Sequence, residues 1–323
     1  MNVQTSPTRR EAAIDAADVR NARRPINPLH ATVTALAVLL AVAFAVWLIT
    51  TPRFEWDVVA QYMFAPAILK GIGMTLLLTA ICMVLGCILG VVLAVMKMSD
   101  VAVFKLLASS FVWFFRAVPM LVQLIFWFNL SYLVPRIAVG IPFGPEFFSW
   151  DTNDLINAFT AAVIGLTIHE AAYMSEIIRS GIMSVDSGQK DAARALGYRE
   201  RPIFVRFILP QALRVIIPPT GSQFISLLKG TSLVSVIGMT DLLHAAQTVY
   251  NRTFEVVPLL LVASIWYLVM VAILSAVQSR IEAKFSRGYR QSGGKQSGGK
   301  QPGTATTTIR QLKRASLTAR SES

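Results

Sequence analysis

Glu170, Tyr173, Glu176 and Arg179 crowd into the second half of a run that is otherwise apolar. Arg116, Gln123, Lys229, Thr231 and Ser232 stand in comparable settings elsewhere in the chain. The chemistry open to such residues is ion pairing and hydrogen bonding. Ionisable groups at membrane depth face a helix bundle or a water-filled cavity, not lipid. Tyr173, Glu176 and Ser180 lie on one helical stripe at i, i+3 and i+7. Arg179 follows Glu176 by three residues, which fits a structural pair at least as well as a contact to something passing through. Arg116, close to Pro119, also has two readings. An intramembrane Arg costs about 2.5–3.5 kcal/mol on insertion scales. It either snorkels from a helix end, or it faces a pathway or packs a bend made by Pro119.

Nothing points to covalent or metal chemistry. Cys82 and Cys87 share one apolar run but not one helical face, so they read as small buried hydrophobes. Gly294-Lys-Gln-Ser-Gly-Gly299-Lys300-Gln301 nearly matches a P-loop, but it belongs to a tandem Gln-Ser-Gly-Gly-Lys repeat. It lacks the final Ser or Thr that would hold Mg²⁺ and has no preceding strand. No zinc motif or nucleophile elbow is present. The expectation is no catalytic residue, no metal ligand and no cofactor bound by this chain.

The elements that must hold these residues are membrane spans. The chain is 54% hydrophobic and 15% charged, where a soluble domain carries roughly 25% charged residues. Several uncharged runs near 20 residues argue for an all-α polytopic membrane protein. Six spans are expected: 31–51, 71–96, 106–133, 155–180, 213–239 and 256–279. The third is interrupted by Arg116 and Pro119, the fifth by Pro218-Pro219 and polar side chains. Residues 51–70 form a short loop or surface helix with Trp56 and Tyr62 as interface anchors. Gly86-x-x-x-Gly90 is a small-xxx-small spacing that permits close helix approach. The net charge of +12 sits in tails and in the loops at 97–105 and 181–212. The loops at 134–154 and 240–255 are poor in Lys and Arg. That pattern places both termini in the cytoplasm and argues against nucleic acid. Residues 1–30 read as a cytoplasmic arm and 286–323 as a disordered basic tail.

The loop at 181–212 is far longer than a reconnection requires. Asp186 or Ser187 caps a helix, and Gln189 sits where a capping box has its polar partner. The helix ends at Leu196, with Gly197 at the C′ position. At about two turns it is too short to stand alone and needs a docking surface. Ala192, Ala193, Ala195 and Leu196 offer small apolar contacts, and Lys190, Arg194, Arg199 and Arg201 a basic rim.

Asp191-Ala-Ala, three residues, Gly197, nine residues, then Phe207-Ile-Leu-Pro210 resembles the EAA loop of permease subunits of bacterial binding-protein-dependent ABC importers. Asp191 stands where the family has Glu, and Phe207 where it usually has Ile. Other stretches resemble the polar amino acid branch: Phe115-Arg-Ala-Val-Pro119 with Gln123, Ala172-Tyr-Met-Ser-Glu176-Ile-Ile-Arg179, Gly188-Gln189, Leu209-Pro-Gln-Ala212 and Lys229-Gly-Thr-Ser-Leu233. The resemblance implies a five-helix permease core at 70–285, with the span at 31–51 as an addition. It implies a coupling loop at 186–212 in which Gly188, Gln189, Asp191, Ala192, Ala193, Leu196, Gly197, Leu209 and Pro210 dock on an ABC ATPase subunit. That partner would hydrolyse ATP with Mg²⁺. A second permease subunit (a copy or a paralogue) and a periplasmic amino acid-binding protein would complete an inner-membrane importer. Arg116, Gln123, Glu170, Tyr173, Glu176, Lys229, Thr231 and Ser232 would line the pathway. There Arg116 and Lys229 can meet a substrate carboxylate and Glu176 its ammonium. A secondary carrier using Glu170, Glu176 and Lys229 is the rival, without the inverted repeat common in such folds. A transport-inactive scaffold is the third reading.

Overall fold

The computed structural model describes residues 28–140 and 146–286. The predicted arm ahead of residue 28 and the tail with its tandem repeat lie outside the described residues. The chain divides into two units, at Val58.

The first unit is dominated by α1 (Pro28–Thr50), apolar on every side. None of its spanning window is buried, as suits a helix whose solvent is lipid. Phe44, Trp47, Phe54 and Trp56 contact one another in series, with ring centroids 5.8, 5.9 and 6.1 Å apart. Trp56 Nε1 donates to the Leu48 carbonyl at 3.3 Å. This aromatic group at the end of an apolar helix has the composition of a membrane–water boundary. Trp56 opens α2 (Trp56–Tyr62), the short helix expected between the first two spans.

The second unit is built on α3 (Pro66–Met98) and α7 (Ala158–Met183), which pack along much of their length. Glycines set their separation. A Cβ on Gly86 would lie 2.8 Å from Glu170 Cγ, and one on Gly90 2.8 Å from Met174 Cβ and 3.2 Å from the Ser175 nitrogen. In lipid there is no hydrophobic force to press helices together, so close backbone approach supplies the van der Waals contact. The small-xxx-small spacing read from the sequence is thus the α3–α7 contact. Leu78, Cys82, Leu124, Leu166 and Val234 are fully buried beside it.

The third span is broken. α4 (Ala102–Ala117) and α5 (Met120–Phe128) meet at 103° around Val118-Pro119, because Pro119 has no N–H to continue the ladder. Among the described residues five helices are long and apolar enough to cross a membrane, and six spans result when the bent pair counts as one. Between α5 and α7 lies a hairpin, β1 (Arg136–Gly140) antiparallel to β2 (Glu146–Asp151), followed by α6 (Thr152–Leu155). The loop expected at 134–154 thus contains a paired hairpin. β-Branched and aromatic residues flanking a Gly/Pro cluster are the signal that could have found it.

After α7 come α8 (Ser187–Ala195) and a continuous helical element from Glu200 to Ile237. That element is π-helical at Ile203–Ile208, becomes α9 (Leu209–Gly230), and tightens to a 3₁₀ helix at Thr231–Ile237. Helix therefore begins well before residue 213, where the span was expected to start. Pro202 lies in the first turn, where no N–H is needed. Within α9, Pro218-Pro219 is covered from α11 (Val256–Ser286): Gln278 Nε2 donates to the Pro218 carbonyl at 3.4 Å and to Ser222 Oγ at 2.9 Å.

The segment expected as a loop at 240–255 is mostly α10 (Leu242–Thr253). Its N-cap Asp241 is fully buried and accepts from the His244 N–H at 2.7 Å and the Tyr267 hydroxyl at 3.1 Å. Thr75 Oγ1 accepts from the Leu242 N–H at 3.1 Å, tying α10 to α3. An Asp before an apolar-periodic run was the missed signal.

Gly90→Val is expected to destabilise the purified protein by about 1–3 kcal/mol through overpacking. Gly73→Ala, where an added Cβ meets nothing within 4 Å, is expected to be neutral. Thermal unfolding in detergent compares the two, and equal melting points would refute the glycine contact as the spacing element.

Candidate functional site

Two places collect the residues singled out from the sequence. The first is a cavity of about 410 Å³ walled by Lys97 from α3, Ser109, Trp113 and Arg116 from α4, and Tyr173 and Glu176 from α7. Glu176 is held from both sides. Lys97 Nζ bonds to its Oε1, and Arg179 donates from Nε and Nη2 to Oε2 at 3.0 and 2.9 Å. The Glu176–Arg179 pair anticipated from spacing is present, with Lys97 as an unanticipated third member. Lys97 is 79 positions from Glu176, so only the fold reveals the contact. The Arg116 guanidinium sits 5.0 Å from the centre of the Tyr173 ring, a cation–π arrangement. The His169 ring leans on the other partner of that stack, 5.0 Å from Tyr173.

Gln123 does a different task. Its Nε2 donates to the carbonyls of Phe115 at 2.9 Å and Val118 at 2.8 Å, and lies 3.3 Å from His169 Nδ1. Phe115 O is the acceptor that an N–H at position 119 would have used in an unbroken helix, so the buried amide closes the gap that Pro119 opens. Glu170 is 1% exposed, and Gln223 Nε2 donates to its Oε2 at 3.3 Å. Its Oε1 has no donor among the described residues. Lys229 is exposed at the end of α9 and makes no ion pair among the described residues. The Thr231 and Ser232 hydroxyls bond back to the carbonyls of Leu228 and Lys229, each at 2.8 Å. The structure does not bring these three to the cavity.

The second place is the segment from Asp186 to Pro210. The Asp186 carboxylate accepts from the Gly188 N–H at 2.6 Å, capping α8. Gln189 does not close the expected capping box; its Oε1 accepts from Gln211 Nε2 at 2.6 Å, linking α8 to α9. The helix stops at Gly197 with φ +81°. The Gly197 N–H bonds to the Arg194 carbonyl at 2.9 Å and the Tyr198 N–H to the Ala193 carbonyl at 3.2 Å, the two bonds of a Schellman turn. The Tyr198 ring then meets Phe207 edge to face, centroids 5.4 Å apart. Arg194 donates to Glu200 at 2.6 Å and lies 3.5 Å from Asp191, and Lys190 is 3.8 Å from Glu200. The Glu200 carboxylate raises the Arg194 guanidinium above its ordinary value. Ala193 faces inward at 5% exposure, whereas Ala192 and Ala195 are exposed and Leu196 stands 78% exposed. Leu209 is half-buried and Pro210 exposed.

A family described as "Binding-protein-dependent transport system inner membrane component" matches residues 86–287. The chain belongs to this family. Within it, an arginine transport system permease protein of Corynebacterium glutamicum is 41% identical over 81% of this chain and 82% of its own length. An L-cystine transport system permease protein of Bacillus subtilis is 36% identical, covering 72% of this chain and 92% of its own. A solved structure titled as an amino acid ABC transporter with histidines is 36% identical, with a TM-score of 0.59, covering 70% of this chain and 97% of that one. The MetNI methionine ABC transporter shares the fold at 17% identity, with a TM-score of 0.54 over 68% of this chain and 97% of its own.

In this family member, the two departures from the EAA-type pattern have local partners. Phe207 supplies the ring that Tyr198 packs against, and Asp191, one methylene shorter than Glu, pairs with Arg194 on its own helix. The cavity network has its own arithmetic. Removing Glu176 strands two cations, while removing Lys97 still leaves the Glu176–Arg179 pair. Glu176→Gln is expected to cost about 1–3 kcal/mol, below the ~3–5 kcal/mol of a fully buried pair, since the side chains are 16–33% exposed. Lys97→Met should cost less. Melting temperatures of the two variants in detergent decide the order, and the reverse order would overturn the network as drawn.

Proposed function

We propose that this chain is the membrane subunit of an ATP-driven importer for a polar amino acid, worked through the segment 186–212 by a separate ATPase. The observation that carries the reading is the build of α8. A nine-residue helix, capped at both ends and fastened to α9, presents Ala192, Ala195 and Leu196 outward. An exposed Leu on a helix too short to fold alone is explained by a partner's groove. Lys190, Arg194, Arg199 and Arg201 would rim that contact. Ala193 faces inward, so its part is to seat α8 on its own chain. ATP and Mg²⁺ belong to the partner. A second permease subunit, by symmetry or as a paralogue, would close the pathway, and a periplasmic binding protein would deliver the substrate. Both termini would then be cytoplasmic, as the distribution of Lys and Arg requires.

The cavity supplies the polar stretch of the pathway. Lys97, Arg116 and Arg179 outnumber Glu176, so the site attracts an anion. Arg116, already oriented by Tyr173, is the group placed to take the amino acid's α-carboxylate. Glu176 is occupied by Lys97 and Arg179, which leaves it poorly placed for an ammonium. The names of the relatives, arginine and cystine permeases, support a polar amino acid as cargo.

The test is Leu196→Glu. Because Leu196 is exposed, the variant is expected to keep its melting temperature within the usual surface-substitution range of about ±0.5 kcal/mol. It is expected to lose the co-purifying ATPase and substrate-dependent uptake in cells. Retained ATPase binding with normal uptake would refute α8 as the docking helix.

A further inference from the structure

We propose that the β1–β2 hairpin is a membrane anchor, its aromatic face seated at the headgroup–acyl boundary of the bilayer. The register decides which residues share a face. Ile137 stands opposite Trp150, whereas Arg136 stands opposite Asp151 and Ala138 opposite Ser149. Successive side chains along a strand point to opposite faces. One face therefore carries Ile137, Phe148 and Trp150, and the other carries Arg136, Ala138, Ser149 and Asp151. The Phe148 and Trp150 rings stack, with centroids 5.9 Å apart and planes at 15°, yet they remain 64% and 45% exposed. Phe147, which the register skips, adds a third exposed ring. A hairpin of two strands is marginal in water and needs an apolar surface to pack against. The described residues leave this face open.

Position supplies the cover. The hairpin joins α5, where the third span ends, to α7, where the fourth begins, so both of its ends are held at one membrane boundary. Buried Thr152 roots it there: its N–H donates to the Pro135 carbonyl at 3.1 Å and its hydroxyl to the Val134 carbonyl. Exposed apolar side chains run up to the hairpin and away from it. Ile125 and Phe126 lie on α5, Tyr132 and Leu133 just ahead of β1, and Phe159 in the first turn of α7. The surface that lipid covers on the spans thus continues along the chain into the hairpin, whose aromatic face carries no charge. Aromatic side chains with one polar edge, Trp and Tyr, concentrate where a membrane meets water. With the rings of Phe148 and Trp150 in that layer, Arg136 and Asp151 on the opposite face stay in water. The anchor then fixes the start of α7, the helix that carries Tyr173 and Glu176, relative to the bilayer.

The experiment uses the full chain in phospholipid vesicles and reads tryptophan emission. Lipids brominated on their acyl chains quench from the membrane side, and iodide quenches from the water side. The emission lost between the wild type and Trp150→Phe belongs to Trp150. That component is expected to lose more intensity to the brominated lipid than to iodide. Adding Ser149→Trp to Trp150→Phe moves an indole by one residue and so to the opposite face. Its component is expected to show the reverse order. Trp150→Phe keeps an apolar ring in place, and the Trp150 component is read from the native hairpin, so the decision does not hang on the second variant folding. A Trp150 component quenched by iodide as much as by brominated lipid, or more, puts the face in water and overturns the proposal. One that neither quencher reaches puts a protein surface over it, a second copy of this chain or another subunit, and overturns it equally.

Discussion

Inside a bilayer no water is at hand for a backbone N–H or C=O, so each polar group must find its partner in the protein. The second unit is arranged around that constraint. Where Pro119 breaks the third span, the Gln123 amide takes the two carbonyls left over. Beside Pro218-Pro219 within α9, Gln278 of α11 adds a cross-helix bond to the Pro218 carbonyl and to Ser222 Oγ. The 103° turn between α4 and α5 is tolerable because its cost is met locally by one buried side chain. Glycines answer the complementary need, contact without a hydrophobic drive, by letting α3 and α7 touch along their backbones.

What could be read beforehand follows from the same physics. Long uncharged runs announce spans because lipid demands them, and five appear as single helices among the described residues, with the bent α4–α5 pair making a sixth when it counts as one span. Gly197 announced the end of α8 because few other residues accept a positive φ. The hairpin and α10 were missed because they lie between spans, where hydropathy carries no signal and only caps and turn residues speak. In the candidate site, the Glu176–Arg179 pair was legible from spacing on one helix. Lys97 was not, since its partner is distant in sequence and adjacent only through the α3–α7 crossing. Gln123 was legible as a polar residue in an apolar run but not as the donor to the Phe115 and Val118 carbonyls, because sequence shows polarity but not what it satisfies.

The two collections of residues share one scaffold element. α7 carries Tyr173 and Glu176 at the cavity and runs on to Gly181, where Ile216 and the Ala212 carbonyl of α9 come so close that a side chain would not fit. α9 in turn is tied to α8 through Gln189 and Gln211. α8, α9 and α7 are thus joined in sequence, by the Gln189–Gln211 hydrogen bond and by the close contact at Gly181, as far as the cavity wall.

The fastening of α8 also fixes how long the segment between Gly197 and Pro210 can be. Tyr198 is clasped by Phe207 at one point and Gln189 by Gln211 at another, so the intervening residues form a small cross-braced ring rather than a free connector. Each residue of a helix turns the chain by about 100°. Deleting or inserting one residue there would carry Phe207 and Gln211 off their partners together. The segment is measured at two points, so its length is constrained as well as its composition.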